Sequence, residues 1–177
     1  MDVITINPQT NEVTKKDMQL QANSIYSFFN SILIDDVVTL KNHIIHTDAE
    51  ALCQNKKPYM LGSQLLVGDA LIIGQNGLEE CDVTITEDEV KELLNYDLPQ
   101  FYLDVLEVLS KTDVNLYKTF EVEKNSEKIA LNTEWVLYTF NIADEKTKEY
   151  FLTELKKSEE KFVIIQKMAQ LAMNVAG

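Results

Sequence analysis

Gly68-Asp69-Ala70-Leu71-Ile72-Ile73-Gly74 is the stretch on which the fold turns. After Asp69 its apolar residues run unbroken to the second glycine, without the alternation of a strand that has one wet face. Such a run suits a strand buried on both faces at the centre of a sheet. Gln75-Asn76-Gly77 follows with the chemistry of a tight turn.

Upstream, the pattern is mostly β with one helix. Val3-Ile4-Thr5-Ile6 reads as a short strand, Asn7 to Asn11 as a turn, and Glu12-Val13-Thr14 as its hairpin partner. Asn23 or Ser24 can cap a helix whose apolar positions Ile25, Phe28, Phe29 and Ile32 follow helical spacing. Val37 to Leu40 and Ile44 to His46 read as strands around a turn at Lys41-Asn42.

Downstream, the reading becomes helical. Thr86 and Glu89 form a capping box, and Ile85 with Val90 makes the accompanying hydrophobic staple. The expected helix runs from Glu87 to about Asn95. Asp97, Pro99 and Gln100 mark a second start, for a helix to about Ser110 that buries Phe101, Val105, Val108 and Leu109. Leu116 to Val122 alternates as a strand. Glu134 to Phe140 reads either as its partner or as a helix through Trp135. Asp144 opens a helix through Lys157. Ser158 opens a further stretch with Phe162, Ile165, Met168, Ala169, Ala172 and Val175 on one face, either a second helix or a bent continuation. The expected fold is α+β: a small, mostly antiparallel sheet with packed helices and a helical C-terminus. Residues 1–96 form an α+β N-terminal domain. Residues 97–177 form a mainly helical part, either separate or packed into the same globule.

Composition narrows function by exclusion. The 177 residues carry a net charge of −13, and every one of the 16 cations is a lysine. Arginine is the residue that forks onto phosphates and guanine, so direct nucleic-acid binding and phosphoryl transfer are not expected. The apolar runs are too short for a membrane span, and no basic, apolar leader opens the chain, so a soluble cytoplasmic protein is expected. Cys53 and Cys81 stand 28 residues apart with no CxxC, and read as buried, reduced thiols or as one disulfide. No cofactor and no metal is expected.

The acidity is concentrated. Residues 79–107 hold ten acids against one lysine: Glu79, Glu80, Asp82, Glu87, Asp88, Glu89, Glu92, Asp97, Asp104 and Glu107. They form a candidate anionic interaction surface. Its field would speed association with a basic partner, and carboxylates spaced like phosphates would mimic DNA toward a DNA-binding or defence protein. Helix capping and dipole preferences already account for Thr86, Glu87, Asp88 and Glu89. The plainer alternative is a solvated face of two helices.

Other clusters are weaker. His43 and His46, with Asp48, are the best available metal or acid–base group, but on a strand the two rings point to opposite faces. Ser63 follows Gly62 without a nucleophile elbow, and Gly68, Gly74 and Gly77 make no nucleotide fingerprint. Adjacent carboxylates such as Glu79/Glu80 could serve acid–base chemistry only inside a cleft. The last helix, with Phe162-Val163-Ile164-Ile165 apolar on two sides, is either core or a surface for self-association.

The order of motifs adds a resemblance. An Asn-Pro hairpin (Ile6-Asn7-Pro8 to Val13) precedes an Ile-Tyr helix (Ile25-Tyr26 to Ile32) and paired strands with an acidic turn (Ile45 to Glu50). An apolar strand closing on glycine (Leu65 to Gly74) and Val83-Thr84-Ile85 then lead into the capped helix. In these features residues 1 to about 95 resemble a family of small phage- and plasmid-borne proteins, a domain of unknown function. The resemblance implies a bacterial or mobile-element setting and an accessory role, and no reaction. The function expected is a non-enzymatic protein-interaction or accessory protein. The alternatives are an acidic DNA-mimic-like inhibitor and a small enzyme of unrecognised type.

Overall fold

A computed structural model describes residues 1–21 and 23–175; the side chains of 37–39 and 175, including Val37, Val38 and Val175, fall outside that description. The chain is α+β and divides into two compact units, Met1–Leu98 and Pro99–Gly177. The boundary lies two residues beyond the expected one. Leu94 continues from helix into an extended pair with Leu61, which ties the segment through Asn95 to the first unit.

The first unit contains β1 (Asp2–Asn7), β2 (Glu12–Asp17), α1 (Ser24–Phe29), β3 (Ile34–Thr39), β4 (His43–Asp48), β5 (Pro58–Leu61), β6 (Gln64–Val67), β7 (Ala70–Asn76), β8 (Glu79–Cys81), α2 (Glu87–Leu93) and β9 (Leu94–Asn95). The main sheet runs β2-β1-β7-β4-β3, with β8 also on β7, and all its pairings are antiparallel. The apolar run is therefore the central strand. Leu71, Ile72 and Ile73 have no exposed surface, and burying each contributes about 1.5–3 kcal/mol.

Register decides what each face carries. Ile72 lies opposite Ile4 and Ile45, and Leu71 lies opposite Thr5 and His46. Successive residues alternate sides, so Ile4, Ile6, Ile45 and Ile72 share one face. On the other, Val3, Leu71 and Ile73 form a cluster covered by Met1, Met18, Leu20 and, from α1, Ile25, Phe28 and Phe29. Two glycines are dictated by crowding. Gly68 has φ +77° and a Cβ there would lie 2.9 Å from that of Ala51. A Cβ on Gly74 would lie 2.2 Å from the Asp82 carbonyl oxygen.

Several expectations need correction here. α1 stops at Phe29, because Asn30 turns left-handed (φ 51°), and Ile32 lies outside the helix, 83% exposed. The stretch from Leu65 to Gly74 is two strands, not one: Gly68 breaks it, and β6 folds back on β5 in a separate small sheet, β6-β5-β9. Cys53 is exposed and Cys81 half-buried, and no disulfide joins them. Cys53 sits in the turn-rich segment after β4, where no apolar neighbourhood encloses it.

The second unit contains α3 (Gln100–Leu109), β10 (Thr119–Lys124), β11 (Glu127–Asn132), α4 (Thr133–Asn141), α5 (Glu145–Lys157) and α6 (Lys161–Val175). The partner of β10 is β11, and residues 134–140 are helical. Asn125 and Ser126, both with positive φ, close the hairpin early. Asn132 then caps the next segment by accepting from the Trp135 N–H at 2.9 Å. Thr133, Val136, Leu137 and Phe140 consequently fall on one buried helical face. Phe140 stacks on Phe151 with centroids 4.7 Å apart. In α3, Val108 is half-buried, and Tyr102 and Leu106 join Phe101, Val105 and Leu109 in the core.

The C-terminal stretch is two helices. Ser158 is extended (φ −78°, ψ 141°), and the Lys161 ammonium donates to the terminal carbonyls of Leu155 (2.7 Å) and Ser158 (2.5 Å). That contact satisfies orphan acceptors at a helix end. Ile165, Met168 and Ala169 of α6 are buried, whereas Val163 and Leu171 are about half exposed. Among the described residues no helix is long and apolar enough to cross a membrane.

Candidate functional site

The ten acids of residues 79–107 occupy several elements. Glu79 and Glu80 lie on β8, and Asp82 just follows it. Glu87, Asp88, Glu89 and Glu92 lie on α2, and Asp97 lies in the segment after β9. Asp104 and Glu107 belong to α3, in the second unit, so the structure does not assemble all ten on one body.

Local chemistry separates engaged acids from unengaged ones. The capping box is complete: Thr86 Oγ1 accepts from the Glu89 N–H at 3.2 Å, and Glu89 Oε2 accepts from the Thr86 N–H at 2.8 Å. The Thr86 N–H and then the Thr86 hydroxyl, which also donates to Oε2 at 3.0 Å, hold the Glu89 carboxyl below the usual glutamate range, with a smaller contribution from Lys41. Glu87 accepts from the Lys15 N–H on the β2 edge. Asp82 accepts from the Asp2 N–H at 2.8 Å, and Asp88 pairs with Lys91 at 3.6 Å. On α3, Asp104 accepts from the Gln100 amide at 2.8 Å and Glu107 lies 3.9 Å from Lys111.

Glu79, Glu80, Glu92 and Asp97 are different. All four are exposed, and none engages a cation among the described residues. Leu78, at the turn between β7 and β8 beside Glu79 and Glu80, is fully exposed. A fully exposed leucine contributes nothing to the core.

The two histidines diverge as strand geometry requires. His43 is 1% exposed. Its Nδ1–H donates to the Leu40 carbonyl at 2.8 Å, which leaves Nε2 to accept from the Thr84 N–H at 3.1 Å and the Ile85 N–H at 3.4 Å. The ring is a structural bolt between β4 and the segment that leads into α2. It has no free nitrogen for a metal or for proton transfer. Asp48 accepts from the Glu50 N–H at 2.9 Å and shapes a turn. Ser63 sits exposed in the β5–β6 turn.

His46 faces the opposite side of the sheet and is 6% exposed. Its Nδ1 lies 2.5 Å from Asp36 Oδ1 on the neighbouring strand. An ionised carboxylate only accepts, so Nδ1 carries the proton of this bond, and in the neutral ring the lone pair lies on Nε2. Nε2 is buried and has no hydrogen-bond partner among the described residues. Both residues line a cavity of about 390 Å³, together with Leu20, Gln21, Ile25, Tyr26, Ile34 and Glu80.

Sequence reading passed over Asp36. The two strands and their turn were legible, but a regular hairpin places Val37 opposite His46. A bulge between Asp36 and Val38 shifts the ladder by one residue and brings Asp36 there instead. Among the described residues no group of three or more His, Cys, Asp or Glu could hold a metal ion.

Comparisons with protein-family models, with curated proteins and with solved structures returned no match. Functional inference therefore rests on the geometry of the chain itself.

Proposed function

We propose that this chain is a non-enzymatic interaction protein, a cytoplasmic accessory factor of a bacterium or mobile element, which binds a basic protein through the acidic surface of its N-terminal unit. The observation that carries the reading is the set of exposed, cation-free carboxylates Glu79, Glu80, Glu92 and Asp97, accompanied by the fully exposed Leu78. Uncompensated surface charge does not stabilise a fold, whereas it accelerates encounter with a surface of opposite sign. An exposed leucine beside it supplies an apolar anchor.

The narrower form of the reading is mimicry of DNA toward a DNA-binding partner. It draws support from the absence of arginine and the sign of the charge. The engaged roles of Glu87, Asp88 and Glu89 limit how many carboxylates are spare for it. For the second unit, the half-exposed Val163 and Leu171 side of α6 favours self-association, independently of the acidic surface.

The test is affinity capture from bacterial lysate at physiological salt. The baits are the wild-type chain and the triple variant E79K/E92K/D97K, which spares every acid with a structural partner. The expected result is a basic protein retained by wild type, lost with the variant, and displaced by duplex DNA if the narrower form holds. Equal capture by both baits, or no capture by wild type, would overturn the reading.

A further inference from the structure

The cavity beside His46 goes beyond an interaction surface. Three independent features converge there. The first is a cavity of about 390 Å³, open on one side to solvent, within the size range of small-ligand sites. The second is the buried Nε2 of His46, a ring nitrogen with no partner among the described residues and an acceptor in the neutral ring. Leaving such an atom unpaired inside a protein is costly, and native structures rarely do so without a reason. The third is the charge of the lining. Asp36 and Glu80 are carboxylates, Gln21 and Tyr26 are neutral and polar, and no lysine is among the lining residues.

We propose that this cavity binds a small organic cation carrying N–H donors, a primary alkylammonium or alkylguanidinium. Asp36 polarises the neutral imidazole by accepting a hydrogen bond from its Nδ1–H, which strengthens Nε2 as an acceptor for the ligand's N–H. Glu80, exposed and without a cation of its own, balances the ligand's charge. Leu20, Ile25 and Ile34 provide an apolar wall for a short alkyl chain, and the Tyr26 ring offers a face for cation–π contact. An anion would meet two carboxylates and an acceptor nitrogen, so the lining selects against it.

Nε2 is screened from solvent, and the ligand reaches it by an outward shift of α1, which contributes Ile25 and Tyr26 to the wall. That helix is suited to yield. It spans six residues, buries none of them fully, and its N-cap Asn23 makes no side-chain bond. Helices this short hold together through packing and little else. The same segment supplies Phe28 and Phe29 to the sheet's cover, so a shift at its N-terminal end leaves an anchor in place.

The experiment is an amide and imidazole NMR titration of the full chain at constant ionic strength. The probes are butylammonium and butylguanidinium, with tetramethylammonium and butyrate as controls. The expected result is saturable shifts at Ile25, Ile34 and His46 with either N–H-bearing cation, at roughly millimolar affinity for so few atoms. D36N and E80Q each weaken that binding about tenfold or more while the remaining spectrum is preserved. No saturation by about 50 mM, an equal response to tetramethylammonium, binding of butyrate instead, or full affinity in both variants would each overturn the proposal. The capture variant E79K/E92K/D97K alters no cavity residue, so loss of the partner and loss of the cation are separable results.

Discussion

Replacing His43 by alanine tests how the N-terminal unit holds its acidic elements in place. The ring is almost wholly buried and joins three backbone groups: the Leu40 carbonyl, and the amides of Thr84 and Ile85. Leu40 keeps a second donor, since its carbonyl also accepts from the His43 amide at 3.1 Å. The Ile85 amide is buried and has no other partner among the described residues, so H43A strands it at about 1–3 kcal/mol. Lost packing of the imidazole adds to this, for a total of about 2–4 kcal/mol. H43Q offers one acceptor in a similar volume and recovers part of the loss. The single tryptophan, Trp135, lies in the second unit and does not report on this one. The assay is therefore native-state hydrogen exchange at Leu71, Ile72 and Ile73, whose amides lie in the central strand. A loss under about 1 kcal/mol in H43A, or faster exchange at Phe151 than at Ile72, would refute the assignment of His43 as a bolt. Nitrogen-15 shifts of the ring provide a second check: the expected tautomer is protonated at Nδ1.

Other outcomes follow from the same geometry. T86A removes the cap of α2 and costs about 1 kcal/mol in urea unfolding of the first unit. Because the native Glu89 carboxyl is held below its ordinary value of 4.5, its contribution is complete above that value and disappears as pH falls through the lower native one. Wild type therefore loses the Glu89 contribution on acidification, whereas E89Q, which has no carboxyl there to titrate, shows a flatter acid limb. S126G in the β10–β11 turn, where Ser126 has φ 65°, stabilises the second unit by about 0.5–1 kcal/mol, read by thermal unfolding through Trp135. Tyr102, buried beside Glu134 and Tyr138, has its phenol pushed up to about 12, chiefly by desolvation. Ultraviolet titration of Y102F should lose only the most alkaline component of tyrosine ionisation.

Much of the fold was legible because local chemistry and tertiary packing agreed. The run Ala70 to Ile73 had no polar side to offer water, and it became the central strand. Thr86 and Glu89 carried a complete reciprocal cap in four residues, and the helix began there. Legibility failed where long-range pairing competed with local pattern. Residues 134–140 alternate acceptably for a strand, but the two-residue turn at Asn125-Ser126 had already given β10 its partner. Leu65 to Gly74 reads as one apolar strand, whereas Gly68, with its positive φ, breaks it between two sheets. The candidate cavity was hidden for a related reason. Its key pair, Asp36 and His46, exists only because a bulge shifts one strand by a residue, and nothing in composition or periodicity announces a bulge.

Spare carboxylates of the first unit are proposed to engage a basic protein. The most direct measurement is the dissociation constant of the captured complex as a function of salt, from about 0.05 to 0.5 M. A steep weakening with salt, flattened in E79K/E92K/D97K, is the result expected. An affinity that holds constant across that range would contradict it.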